Sequence, residues 1–265
     1  MKTNEILHLA DLNLAESMRE TARWNAASEI VERDDLLLIR GADSSPVTNA
    51  AVRIARGDDS ASGRTMDLIK SFYGGHGTMY SVHIRGHADA ALEAACQREN
   101  MVSISNAPGM MIDAMISGQP LPADTEVRTV TDAAAAADFA AVAVDSYRSL
   151  GMPPEIGAVI FASPGRCLVP SNHMVVAYRS GKPVSCAMTI FSHSIAGVYW
   201  VGTIAEARGR GMAEACTRTV ANAALARGAR IVVLQASKFG EPIYRRMGFR
   251  EFTSYPWYFQ FNTNR

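Results

Sequence analysis

Six consecutive residues, Arg208-Gly209-Arg210-Gly211-Met212-Ala213, stand between an apolar run, Val198 to Ile204, and an alanine-rich helical stretch. A helix start carries free backbone N–H groups and a partial positive charge, so it binds phosphate-like anions. Glycines at 209 and 211 let the backbone approach such a ligand, where a Cβ would obstruct it. Two arginines add charge-assisted donors that suit phosphate geometry. The chemistry on offer is anion binding, although short Gly/Arg runs also occur in ordinary turns.

Other patterns offer less. His83 and His87 are four apart, but Gly86 and the strand-like run before them argue against one helix face, so no metal site is expected. Gly74-Gly75-His76-Gly77 lacks the downstream Lys-Ser/Thr of a phosphate loop and reads as a plain loop. Cys96, Cys167, Cys186 and Cys216 are scattered without metal-type or disulfide spacing, and read as buried reduced thiols. Cys186 in a strand and Cys216 in a helix do not suggest a thiol nucleophile. Pro108-Gly109-Met110-Met111 could line a cleft between halves, but such Met-rich stretches are usually core.

The elements that position these residues follow from hydrophobic period and breakers. The chain has 265 residues, 48% hydrophobic and 20% charged, which fits one or two globular domains. Ser117-Gly118-Gln119-Pro120-Leu121-Pro122-Ala123 is small, polar and proline-rich, and divides the chain into domains 1–123 and 124–265. Beyond it, 126–131 alternates like a strand, and Asp132 can cap a helix running to about Ser149. A short helix at 155–162 precedes strands at 173–178, 183–191 and 198–204, joined by Ser180-Gly181-Lys182 and by residues 193–197. A helix at 212–227, ended by Gly228, leads to an apolar strand at 231–236, a helix at 241–247 and a strand at 251–261. The first half has the same rhythm. Helical signals at 11–32 lead to strands at 36–40 and 50–55, a helix at 65–73, a strand at 79–85, a helix at 88–99 and a strand at 101–105. It lacks a counterpart of the Arg/Gly turn.

The formal net charge is zero but uneven. Residues 1–123 hold 11 Lys+Arg against 16 Asp+Glu, and residues 124–265 hold 15 against 10. The second half is thus the one suited to an anionic small ligand, though a chance division of charge gives the same numbers. Arginines are not interleaved with aromatics, so nucleic acid is not expected. No apolar run is long enough to span a membrane, and the first residues do not read as a secretory signal, so a cytoplasmic protein is expected.

The strand at 198–204, the turn Arg208-x-x-Gly211-x-Ala213 and its helix resemble the acetyl-CoA-binding motif of the GNAT N-acetyltransferases. Ser237-Lys238-Phe239-Gly240-Glu241-Pro242-Ile243-Tyr244-Arg245-Arg246-Met247-Gly248-Phe249 is similar to the family's second signature, a strand end followed by a "Tyr…Gly-Phe" helix. The match spans 126–261, and the first half looks like a degenerate copy. The resemblance implies a GNAT acyl-CoA N-acyltransferase fold, α/β, with a mixed, mostly antiparallel sheet flanked by helices, in two tandem halves.

The same resemblance implies the site. Backbone amides of Arg208, Gly209, Arg210, Gly211, Met212 and Ala213 would hold the CoA pyrophosphate. Backbone groups of Val201, Gly202 and Thr203 would pair with the pantetheine arm, and an N–H there can polarise the thioester carbonyl. Tyr244 matches the tyrosine that protonates the leaving thiolate, with a core tyrosine as the alternative. Two positions depart from the pattern. Ser237 stands where many members carry Asn, and Ala213 replaces the commoner Gly. The sequence names no general base: Glu206 beside Arg208 reads as a solvated pair, and His173 and His193 as ordinary histidines.

The expectation is therefore an acetyl-CoA-dependent N-acetyltransferase that moves an acetyl group directly to a primary amine of a small molecule or peptide in a ternary complex. A non-catalytic acyl-CoA-binding module, or transfer of a longer acyl group, is the alternative. A monomer or homodimer is expected.

Overall fold

A computed structural model describes residues 1–54, 62–74 and 78–261. The first half runs α1 (Thr3–Arg23), β1 (Glu29–Arg33), β2 (Leu36–Arg40), β3 (Ala50–Arg53), α2 (Ser62–Gly74), β4 (Tyr80–His83), α3 (Ala90–Arg98) and β5 (Val102–Ile112). The second runs β6 (Thr125–Thr129), α4 (Ala133–Tyr147), α5 (Pro154–Ile160), β7 (Asn172–Arg179), β8 (Lys182–Ser192), β9 (Ile195–Thr203), α6 (Met212–Ala226), β10 (Val232–Gln235), α7 (Glu241–Arg246) and β11 (Arg250–Gln260).

Local chemistry sets these boundaries. The Asp132 carboxylate accepts the Ala135 N–H at 2.9 Å and so caps α4. Gly228 ends α6 in the left-handed region at φ 94°. Ser180 and Gly181, then His193 and Ser194, pair two left-handed residues each, the geometry that closes two-residue hairpins and joins β7 to β8 and β8 to β9.

The described strands form one sheet in the order β1-β2-β3-β4-β11-β5-β10-β9-β8-β7-β6. Two pairings are parallel, β3 with β4 and β9 with β10, and the rest are antiparallel. The halves thus share one plan: three antiparallel strands (β1–β3 and β7–β9), a helix, a parallel strand, a helix and a last strand, to which the second half adds β6 at the edge, with α4 and α5 between β6 and β7. Those last strands are exchanged. β5 pairs with β10 of the other half, β11 pairs with β4, and the two lie side by side in the middle. Helix α1 also crosses over and packs on β8 and β9. Core clusters lie under α6, under α4 and α5, and under α2 and α3.

Three expectations are corrected. The helical signal at 11–32 ends at Arg23, and 29–33 forms β1, which pairs with β2 and puts charged residues on an edge. β9 starts at Ile195 rather than 198, because a two-residue turn suffices after β8. Residues 101–105 are only the start of an 11-residue strand: Pro108–Met111 lies inside β5, where Met110 and Met111 are buried as the usual core reading of a Met-rich stretch expects. The connection between β3 and α2, where a counterpart of the Arg/Gly turn would fall, covers 55–61, and Gly75-His76-Gly77 is the other loop of interest. Both lie outside the described residues.

Candidate functional site

Strands β9 and β10 run side by side only at Ala196–Val232 and Gly197–Val233. β9 then leaves its parallel neighbour while keeping β8 through Cys186–Gly202 and Ser185–Thr203. The divergence is helped by a bulge: the register with β8 shifts between Cys186 and Met188, and Trp200 adopts φ 51°. Gly202 is needed here because a Cβ would run into the Ser146 hydroxyl of α4. Backbone groups of residues 201–203 are therefore left without a strand on the β10 side.

The gap opens onto a cavity of about 510 Å³. Of the eleven residues singled out from sequence, ten line it: Val201, Gly202, Thr203, Arg208, Gly209, Gly211, Met212, Ala213, Ser237 and Tyr244. Arg210 does not; it is exposed beside it. Gly209 and Gly211 have φ of 72° and 75°, and the space where each Cβ would project is open. A side chain at either position would be strained and would fill the room above the helix start. No side chain caps α6. Its first-turn N–H groups lack intrahelical acceptors and face the cavity with a partial positive charge.

Side chains around the turn divide the work. The Arg208 guanidinium donates to the Thr203 carbonyl and to Ser149 Oγ, each at 3.1 Å, tying the end of β9 to the end of α4. Ser237 Oγ accepts the Gly240 N–H at 3.2 Å and so shapes the entry to α7. Gly240 is close-packed, since a Cβ would meet the Tyr244 ring at 2.7 Å. Tyr244 is buried and set edge-on to Phe249 at 5.7 Å between ring centroids. Burial raises its pKa above the ordinary tyrosine range, so it stays a neutral proton donor at neutral pH.

The sequence reading missed several lining residues. Tyr147, at the last turn of α4, reaches the same cavity, and burial also raises its pKa. Arg246 brings a second cation to the wall, and Phe239, 56% exposed, stands at the rim. Arg246 and Phe239 lie within the quoted Ser237–Phe249 segment, so one helical turn of i, i+3 reasoning from Ile243 would have flagged Arg246. Tyr147 had no local signal, because its proximity to Tyr244 arises from packing across the sheet.

The other chemistry-bearing residues fall elsewhere. Glu206 is exposed in the short turn Ala205–Ala207, and His193 is exposed in a hairpin. His173 lies on β7, with its pKa lowered by burial and then by Arg227. His87 bonds Thr253 Oγ1 at 3.0 Å and Asp11 Oδ2 at 3.1 Å, while His83 stacks near Trp257, so the two share no site. Among the described residues no group of His, Cys, Asp and Glu is placed to hold a metal ion. Cys186 and Cys216 are buried, with thiols pushed upward by desolvation, Cys216 to about 12. No described helix is long and apolar enough to cross a membrane.

Comparison with known proteins bears on this geometry. Residues 166–252 match the family model described as an acetyltransferase (GNAT) domain. A GCN5-related N-acetyltransferase from Kribbella flavida superposes with a TM-score of 0.73 at 19% identity, covering 95% of each chain. One from Sphaerobacter thermophilus gives 0.60 at 14% identity over 85% of this chain and 80% of its own. A tandem GNAT protein from the clavulanic acid biosynthesis pathway gives 0.60 at 12% identity over 96% of both chains. At these identities the superpositions show the fold. No curated protein matches the sequence.

Proposed function

We propose, from the match of residues 166–252 to the acetyltransferase (GNAT) domain model, that this chain is a GNAT acyltransferase and that it transfers acetyl from acetyl-CoA to a primary amine directly, within a ternary complex. The carrying observation is the pairing of two features: β9 leaves β10 unpaired beyond Gly197, and two left-handed glycines open α6 against the same cavity. Acetyl-CoA, when bound, supplies an activated acetyl thioester.

The chain's own groups divide the remaining tasks. Backbone N–H groups at the start of α6 bind the pyrophosphate, with Arg208 and Arg246 adding positive charge at the wall. The backbone edge of residues 201–203 that lacks a strand on the β10 side, with its Thr203 carbonyl taken by Arg208, aligns the pantetheine arm as an added strand would, and an N–H there favours negative charge on the carbonyl oxygen. Tyr244 holds the proton destined for the sulfur, and its raised pKa keeps that proton in place at neutral pH. Residues 1–123 and 124–265 act as tandem halves, the second holding the cofactor and the first walling the acceptor side.

Calorimetry with acetyl-CoA and thiol release across an amine panel test this reading. Tyr244→Phe is expected to lower kcat by about 100-fold while leaving acetyl-CoA affinity within about twofold. Unchanged turnover in that variant removes Tyr244 as the acid. Tight binding of acetyl-CoA with no thiol release for any amine supports a binding module instead.

A further inference from the structure

A second cavity, of about 500 Å³, lies on the seam between the halves. Leu14 and Met18 of α1, Trp200 of the β9 bulge and Phe259 of β11 contribute to its wall. Tyr147 and Leu150 line this cavity and the one beside the Arg/Gly turn, so the two meet at the end of α4. Among the described residues no Asp, Glu, Lys or Arg lines the seam cavity.

Ser17, Thr21, Asn25, Ser28 and Thr48 also line this cavity, all uncharged, but most of its wall is apolar. Gln235 Nε2 and Trp257 Nε1 are buried without a hydrogen-bond partner, and both residues line the cavity. Buried donors left unpaired are costly, so each marks a place where a ligand oxygen gains the most. His83 lines the cavity too, 5.1 Å from the Trp257 ring. Burial lowers its pKa to about 4, so it is uncharged at neutral pH. Four strand spacings separate β4 from β9, in the order β4-β11-β5-β10-β9, which at about 4.8 Å each is roughly 19 Å.

We propose that the seam cavity is the acceptor site, and that its acceptor is an elongated, largely apolar primary amine with no second charge and a neutral hydrogen-bond-accepting oxygen far from the amine. This rests on the acetyltransferase reading above. The amine lies toward Tyr147, where the cavities meet, with Gln235 of β10 on that side, and the oxygen lies against the Trp257 indole N–H on β11. With no carboxylate among the described lining residues to hold an ammonium, the wall selects the free base, which is the nucleophilic form. The amine nitrogen forms the new C–N bond to the acetyl carbon as the C–S bond breaks. The electron pair departs on sulfur, which takes a proton from Tyr244. The nitrogen sheds one proton to water, and Tyr244 recovers one from water, so the step balances without a side-chain carboxylate.

The full-length protein with saturating acetyl-CoA is assayed with 4-(4-methoxyphenyl)butylamine, 4-phenylbutylamine and spermidine. The methoxy amine is expected to give the highest kcat/KM, and spermidine a value at least about 100-fold lower. Trp257→Phe keeps an aromatic ring but removes the donor, and is expected to raise KM for the methoxy amine about fivefold more than for the phenyl probe. A preference for spermidine, or equal effects on both aryl probes, overturns the proposal. Calorimetry on the unaltered protein reads it independently of the variant: the acetylated methoxy product should bind, and its failure to bind also overturns the proposal. If acetyl-CoA itself does not bind, the acetyltransferase reading falls; if it binds and the aryl amines are ignored, the acceptor assignment alone falls.

Discussion

Three ionisable side chains at the two cavities, Tyr244, Tyr147 and His83, are held in their neutral forms by burial. Desolvation raises Tyr244 and Tyr147 and lowers His83 to about 4. For Tyr244 this keeps the proton available across the physiological range. For His83 it makes stability depend on pH. An unfolded histidine takes a proton near pH 6.5, whereas the folded one resists until about pH 4. The unfolded state therefore binds the proton first, and stability present above pH 6.5 is lost as pH falls toward 4. Denaturant midpoints at pH 7 and pH 4.5 check this, and His83→Gln is expected to lose less stability over that interval than the parent chain. An equal loss in both would remove His83 as the source.

Strand β9 is the element on which both cavities depend. Its first residues pair with β10, its bulge at Trp200 faces the seam cavity, and its last residues border the cavity beside the Arg/Gly turn. Helix α4 supports it from one side, and Gly202 permits that contact by leaving room for the Ser146 hydroxyl. Gly202→Ala forces β9 and α4 apart, with an expected stability cost of about 1–3 kcal/mol by analogy with overpacked cores. Denaturation measures that cost, and acetyl-CoA affinity should fall with it, because residues 201–203 move. A variant as stable and as tight-binding as the parent would show that β9 does not need this approach.

For the molecule as a whole, the exchange of β5 and β11 makes the halves interdependent. Without the first half, β10 would lose β5, and β11 would lose both of its neighbours, β4 and β5. Residues 124–265 expressed alone are therefore expected to lack a cooperative unfolding transition, and co-expressed residues 1–123 should restore it. Calorimetric melting distinguishes the cases. A cooperative transition in the isolated fragment would mean that β11 finds another partner.

The sequence by itself determined what is local and periodic. The Arg/Gly turn, the cap at Asp132, the glycine stop at 228 and the apolar run of β10 rest on backbone preferences acting over a few residues. Those preferences are legible without neighbours. The position of Tyr244 in its signature was likewise legible. Only the tertiary structure decided the order of strands. Each half repeats the same rhythm, so the pattern accommodates both a self-contained and an exchanged last strand, and Pro108 inside β5 hid the length of that strand. The same cause hid Tyr147, Gln235, His83 and Trp257. They come from α4, β10, β4 and β11, far apart in sequence, and reach common walls only when the single sheet closes the seam between the halves.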